Sequence, residues 1–153
     1  MASVTVECQT DDGLSPAELD RLAGVLEAAV DSLEADSTRA WGEVSCLIVG
    51  AGRISELHRE YFNDPSETDV ITFPASDDPN VQRVEGDIVV CLDVARGQAL
   101  EAGHSTLREV AFLGVHGLLH LNGWTDRTAA MRDAMLLRQE AMLRDIERSS
   151  GRL

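Results

Sequence analysis

The chain predicts an α+β domain: one small mixed β-sheet of about four strands, about five helices, and a metal site on a buried central helix. Three observations carry that expectation. Four short segments, Val4 to Gln9, Val44 to Val49, Asp69 to Phe73 and Asp87 to Leu92, alternate apolar and polar residues or run continuously apolar, as strands do. Strand-like and helix-like segments alternate in the first half, and the second half is helix-rich. Val110 to Leu121 (VAFLGVHGLLHL) is apolar or glycine everywhere except at His116 and His120, so a helix there is hydrophobic all round and must be buried.

The elements follow in order. Val4 to Gln9 alternates and reads as a strand with one buried face; Asp11-Asp12-Gly13 turns the chain. Ser15-Pro16-Ala17-Glu18 is a capping box with proline at the first helical position, and Leu19, Leu22, Leu26, Val30 and Leu33 continue it as an apolar stripe. Val44 to Val49, bounded by Gly42 and Gly50, is expected to be a strand covered on both faces. Ile54, Leu57, His58, Tyr61 and Phe62 share one side of the next helix, which Asn63-Asp64-Pro65 ends. His58 is expected to flank its packed face. The strand Asp69 to Phe73 stops at Pro74, and Ala75 to Glu85 is a polar loop containing Asp77-Asp78-Pro79 that could border a groove. After the strand from Asp87, Asp93 is expected to cap a helix that Gly103 closes. Thr106-Leu107-Arg108-Glu109 reads as a second capping box opening the histidine helix. Met131, Ala134, Met135, Arg138, Met142 and Ile146 trace the stripe of a long last helix whose methionines fill core.

The two histidines are four residues apart and therefore project from one helix face, the spacing at which two imidazoles share one metal ion. One buried histidine is ordinarily a hydrogen-bonded core residue, but a pair needs two partners where one divalent cation serves both. Gly123 ends the helix and Asp126 follows three positions later, where a turn can swing its carboxylate back. The spacing His116, His120, Gly123, Asp126 matches zinc peptidases of the metzincin type. Those enzymes carry a glutamate directly after the first histidine as general base, and here that residue is Gly117, which weakens the peptidase reading.

His116-Gly117-Leu118-Leu119-His120-Leu121-Asn122-Gly123 resembles the signature of the YbeY family of metal-dependent endoribonucleases. Thr68-Asp69-Val70-Ile71-Thr72-Phe73-Pro74 and Gly86-Asp87-Ile88 are similar to two further family motifs, in the same order, and the likeness spans about residues 44 to 146. The family motif ends in Asp-His where this chain has Thr125-Asp126, so the third ligand here is expected to be a carboxylate. Two histidines and one acid form an established zinc set with a position open for water. The family also tends to place an arginine where Phe62 follows Tyr61; Arg59, one helical turn earlier, is the expected substitute. The resemblance brings Asp69 and Asp87 into consideration near the site.

What the resemblance implies is a single-strand-specific endoribonuclease in 16S ribosomal RNA maturation and ribosome quality control. Catalytic residues would be His116, His120, Asp126 and Arg59, with one zinc ion on the first three. Zinc lowers the pKa of its water towards ~7 and stabilises the charge developing on a phosphodiester. The implied partners are ribosomal RNA precursor and the small ribosomal subunit. Two rival readings use the same residues: a zinc peptidase or amidase, and a non-catalytic ribosome-assembly protein with a structural metal.

Composition sets the remaining bounds. The 153 residues suit one domain, residues 1 to 153. The apolar runs are shorter than a membrane span and no signal pattern opens the chain, so a cytoplasmic location is expected. Cys8, Cys46 and Cys91 are scattered, as befits reduced thiols and not a disulfide framework. The net charge of -14, with arginine as every basic residue, excludes a general nucleic-acid coat. It leaves room for a local groove, for which Arg53, Arg59, Arg83, Arg96, Arg108 and Arg127 are the candidates.

Overall fold

A computed structural model describes residues 2–37, 39–64, 68–78 and 80–150. In chain order the elements are β1 (Ser3–Cys8), α1 (Pro16–Ala35), β2 (Ala40–Val49), α2 (Ala51–Phe62), β3 (Val70–Pro74), β4 (Arg83–Cys91), α3 (Leu92–Ala102), α4 (Thr106–Leu121) and α5 (Ala129–Ser150). The four strands form one sheet in the order β1-β2-β4-β3. β1, β2 and β4 run parallel, and β3 pairs antiparallel with β4, giving the expected mixed α+β architecture.

Strand alternation divides the sheet into two faces. Val44, Cys46 and Ile48 of β2 and Val84, Ile88 and Val90 of β4 point into the main core, which α1, α4 and α5 fill with Leu22, Leu26, Leu118, Met135 and Leu143 among others. Val49, Ile71, Val89 and Cys91 form a smaller cluster on the other face, closed by Ile54 of α2. Away from α2 that second face is open and polar, with Thr5, Ser45, Glu85 and Asp87 along one depression. β2 is therefore covered on both faces only at its α2 end.

Helix α4 is enclosed as its composition demands, with eleven buried residues from Leu107 to Leu121. From Arg108 onwards, its half-buried positions are Arg108, Phe112, His116 and His120. They form one row at intervals of four, so the helix leaves a single edge uncovered and both histidines stand on it. Gly117, beside that row, faces the sheet. A Cβ there would lie 2.7 Å from Cγ2 of Ile88, so the glycine lets α4 approach β4 closely.

The Ser15 capping box forms as expected: Glu18 N–H donates to Ser15 Oγ and Ser15 N–H to Glu18 Oε1. Two other caps differ. α4 begins at Thr106 with Ser105 as its cap, whose Oγ accepts from Arg108 N–H, while Glu109 is buried against His104 at 2.7 Å. Asp93 lies inside α3 and caps α2 instead, accepting from Ala51 N–H at 2.9 Å. Gly50 at the head of α2 has no side chain, so the acceptor comes from a neighbouring element.

One boundary also moves. β4 starts at Arg83, which shortens the expected loop. In α5 the buried stripe is Met135, Gln139, Met142, Leu143 and Ile146, so Gln139 takes the place expected of Arg138, and Met131 is exposed. Asn63 ends α2 in the left-handed conformation; Pro65 and Pro79 lie outside the described residues. No helix among the described residues is long and apolar enough to cross a membrane.

Candidate metal centre

His116 and His120 project from the open edge of α4 with their rings almost perpendicular, centroids 4.6 Å apart. Their Nε2 atoms face each other at 3.0 Å. After Leu121 the chain turns through Asn122 and Gly123, whose φ of +100° is a conformation that favours glycine. Gly123 N–H bonds back to His120 O and Trp124 N–H to Leu119 O, both at 3.0 Å. Arg39 secures the turn by donating to the Asn122 carbonyl at 2.6 Å. The reversal carries Asp126 over the rings, its Oδ2 lying 3.5 Å from His120 Nε2 and 3.9 Å from His116 Nε2.

The protonation of the pair follows from its outer partners. His116 Nδ1 lies 2.9 Å from Gln139 Oε1, and Gln139 Nε2 donates to the Phe112 carbonyl, which fixes the orientation of the amide. His120 Nδ1 lies 3.0 Å from the Trp124 carbonyl. A carbonyl oxygen only accepts, so in each of these contacts Nδ1–H is the donor and Nε2 is the nitrogen turned toward the other ring and Asp126. Burial, together with the charge of His116, lowers the pKa of His120 below its ordinary 6.5, against the opposing pull of Asp126 and the Trp124 carbonyl.

These residues fit a small divalent cation. Tetrahedral coordination with bonds of ~2.0–2.1 Å places donors about 3.3 Å apart. The three separations here bracket that value, and the three ligand atoms all lie within 4.8 Å of one another. Carbonyl partners on both Nδ1 atoms are the outer contacts that orient metal-bound histidines.

The cavity beside the pair, about 640 Å³, is lined by His58, Phe62, Thr68, Thr72, His120, Trp124 and Arg127 among others. His58, on the flank of α2, therefore also lines this cavity. A second depression is lined by Asp77, Asp78 and Arg39 together with His120, so these described residues of the polar loop lie near the pair. Arg59 is exposed on α2 and is not part of either lining. Neither acid of the strand motifs reaches the imidazoles: Asp69 accepts from Gln98, and Asp87 bonds Ser45 on the open sheet face.

Of the six arginines considered for a groove, Arg53, Arg96 and Arg108 pair with carboxylates elsewhere, Arg83 pairs with Glu85 in the lining of the second depression, and Arg127 lines the cavity. Gln139 escaped the sequence reading. Its one signal was a polar residue at a stripe position between Met135 and Met142.

Comparisons with known proteins identify the family of the chain. The family model described as Endoribonuclease YbeY matches residues 6–147. A protein named Endoribonuclease YbeY from Moorella thermoacetica is 40% identical over 144 residues, covering 88% of this chain and 90% of the relative. One of the same name from Desulfitobacterium hafniense is 36% identical over 147 residues, covering 89% and 92%. In fold, the chain is similar to the solution structure of a Thermotoga maritima protein, with a TM-score of 0.64 at 24% identity, covering 97% of this chain and 91% of that one. A match across nearly the whole length, and relatives this similar over nine-tenths of theirs, mean that the chain belongs to the YbeY endoribonuclease family.

Proposed function

We propose that this protein is a zinc-dependent endoribonuclease that hydrolyses single-stranded RNA, with the ion held by His116, His120 and Asp126. The observation that carries the metal is the pair of Nε2 atoms facing each other at 3.0 Å beneath a carboxylate. The family carries the RNA. When bound, zinc supplies an acidified water and positive charge at the reacting phosphate.

The chain's own groups do the rest. His116 and His120 are held in orientation because Gln139 and the Trp124 carbonyl engage their outer nitrogens. Asp126 is nearly half exposed, so its second oxygen is available to take a proton from the attacking water. Arg127 lines the cavity and is placed to contact a phosphate oxygen, while Arg59, exposed on α2, adds positive charge to the approach. We place the reaction on ribosomal RNA precursors at the small subunit, in 16S maturation and quality control, on the strength of the family resemblance. A reducing cytoplasmic setting accords with three free cysteines.

The peptidase alternative is weakened by packing. Position 117 faces Ile88 in the core, where a glutamate could not stand beside the metal ligands. Asp126→Ala tests the main reading and also separates it from a structural metal. Loss of bound zinc and of RNA cleavage, with thermal unfolding little changed, is expected; full retention of both zinc and cleavage would overturn the ligand assignment. A purely structural ion predicts unfolding on chelation, whereas an open site loses activity first.

A further inference from the structure

Aromatic rings gather at the rim of the cavity beside the two imidazoles. At the end of α2, Phe62 and Tyr61 are 53% and 60% exposed. The Phe62 ring lies 5.5 Å from that of His58 and 6.1 Å from that of Phe73, and Tyr61 meets Phe73 edge-on at 5.1 Å. Packing does not require this exposure. The small core under α2 is already closed by Ile54, with Leu57 and Phe73 against it. Phe62 nevertheless lines the same cavity as His120, Trp124 and Arg127, while half of it remains in water.

Electrostatics sharpens the question of what binds there. With a net charge of -14, the chain exerts no general attraction on a polyanion, and of the six candidate groove arginines only Arg127 lines this cavity. Holding a strand therefore calls for a contact that does not depend on charge. Stacking of a base on an aromatic face is such a contact.

We propose that Phe62, backed by Phe73 and flanked by His58, is a nucleobase-stacking subsite for an unpaired base of the RNA strand, next to the phosphate that reaches His116, His120 and Asp126. The proposal rests on the endoribonuclease reading and deepens it. A base inside a duplex has both faces covered by its neighbours, so this subsite selects single strands, and it is tolerant of sequence because every base has a π-face.

The test measures binding of a fluorescein-labelled ten-nucleotide single-stranded RNA in chelator, where no cleavage occurs, and cleavage of the same strand with zinc. Phe62→Ala should weaken binding about tenfold. Phe62→Leu, which keeps an apolar side chain without a ring, should lose about as much, and Phe62→Trp should bind like the parent. The loss should persist at high salt, unlike that from removing a phosphate contact. Equal affinity in all three variants overturns the subsite, even if the parent protein cleaves RNA. A parent that binds RNA through Phe62 without cleaving it leaves the subsite standing and removes the enzymatic reading. A parent with no measurable RNA affinity overturns both.

Discussion

Replacing Gln139 by methionine tests the reasoning that links the buried core to the histidine pair. Gln139 is 1% exposed, accepts from His116 Nδ1–H at 2.9 Å and donates to the Phe112 carbonyl at 3.2 Å. Methionine fills a similar volume and offers no comparable acceptor, so the ring loses both its tautomer lock and its orientation. Removing such an outer partner ordinarily weakens metal affinity about 10- to 100-fold, which corresponds to roughly 1.4–2.7 kcal/mol. The metal-free protein is also destabilised, by about 1–3 kcal/mol, because a half-buried N–H is left without a partner. Zinc affinity measured by competition with a chromophoric chelator reads the first effect, and denaturant unfolding in excess chelator reads the second. Gln139→Glu, which restores an oxygen acceptor, should recover much of the affinity. Unchanged zinc binding in the methionine variant, at equal occupancy and fold, would refute the claim that α5 orients the site.

Other expectations follow from the same structure. Gly117→Ala drives a Cβ into Ile88, and overpacking of this kind costs about 1–3 kcal/mol. That lowers Tm by about 2–4 °C per kcal/mol in a domain this size, and Ile88→Ala in the same chain should remove most of the penalty. The lowered pKa of His120, set by burial and by His116, makes the metal-free fold pH-sensitive in a definite direction. Below pH 6.5 the unfolded chain takes up the proton first, so stability falls as pH is lowered until the folded-state value is passed, and it is flat above 6.5. His120→Asn should flatten that limb of a stability-pH curve. Asp93→Ala removes the acceptor at the head of α2 and should cost about 1 kcal/mol, read as faster amide exchange confined mainly to α2.

Much of this protein is legible along the chain because the relevant signals are local. Period-two runs gave the strands, and the Ser15-Pro16-Ala17-Glu18 box marked the start of α1 where two hydrogen bonds now close it. The four-residue interval of His116 and His120, with Gly123 after it, led directly to two facing imidazoles and a left-handed turn. The shared helix face depends on backbone pitch alone. It needed no knowledge of neighbours.

Tertiary placement decided the rest, since a side chain's partner is whatever the fold brings beside it. Thr106 and Glu109 satisfy a capping pattern, yet burial turned Glu109 to His104 and left the cap to Ser105. Asp93 found its acceptor's role on α2 through a contact 42 positions back in the chain. Asp69 and Asp87 carry family motifs, but pleating and register aim them away from the imidazoles. Gln139 comes to His116 from a helix 23 residues further on. The sequence by itself determined which groups could bind a cation, because their spacing is set by covalent geometry. Only the packing of α5, the sheet and the Arg39-held turn around α4 decided how those groups are oriented and what surrounds them, because burial requires each polar atom to find a partner wherever the fold supplies one.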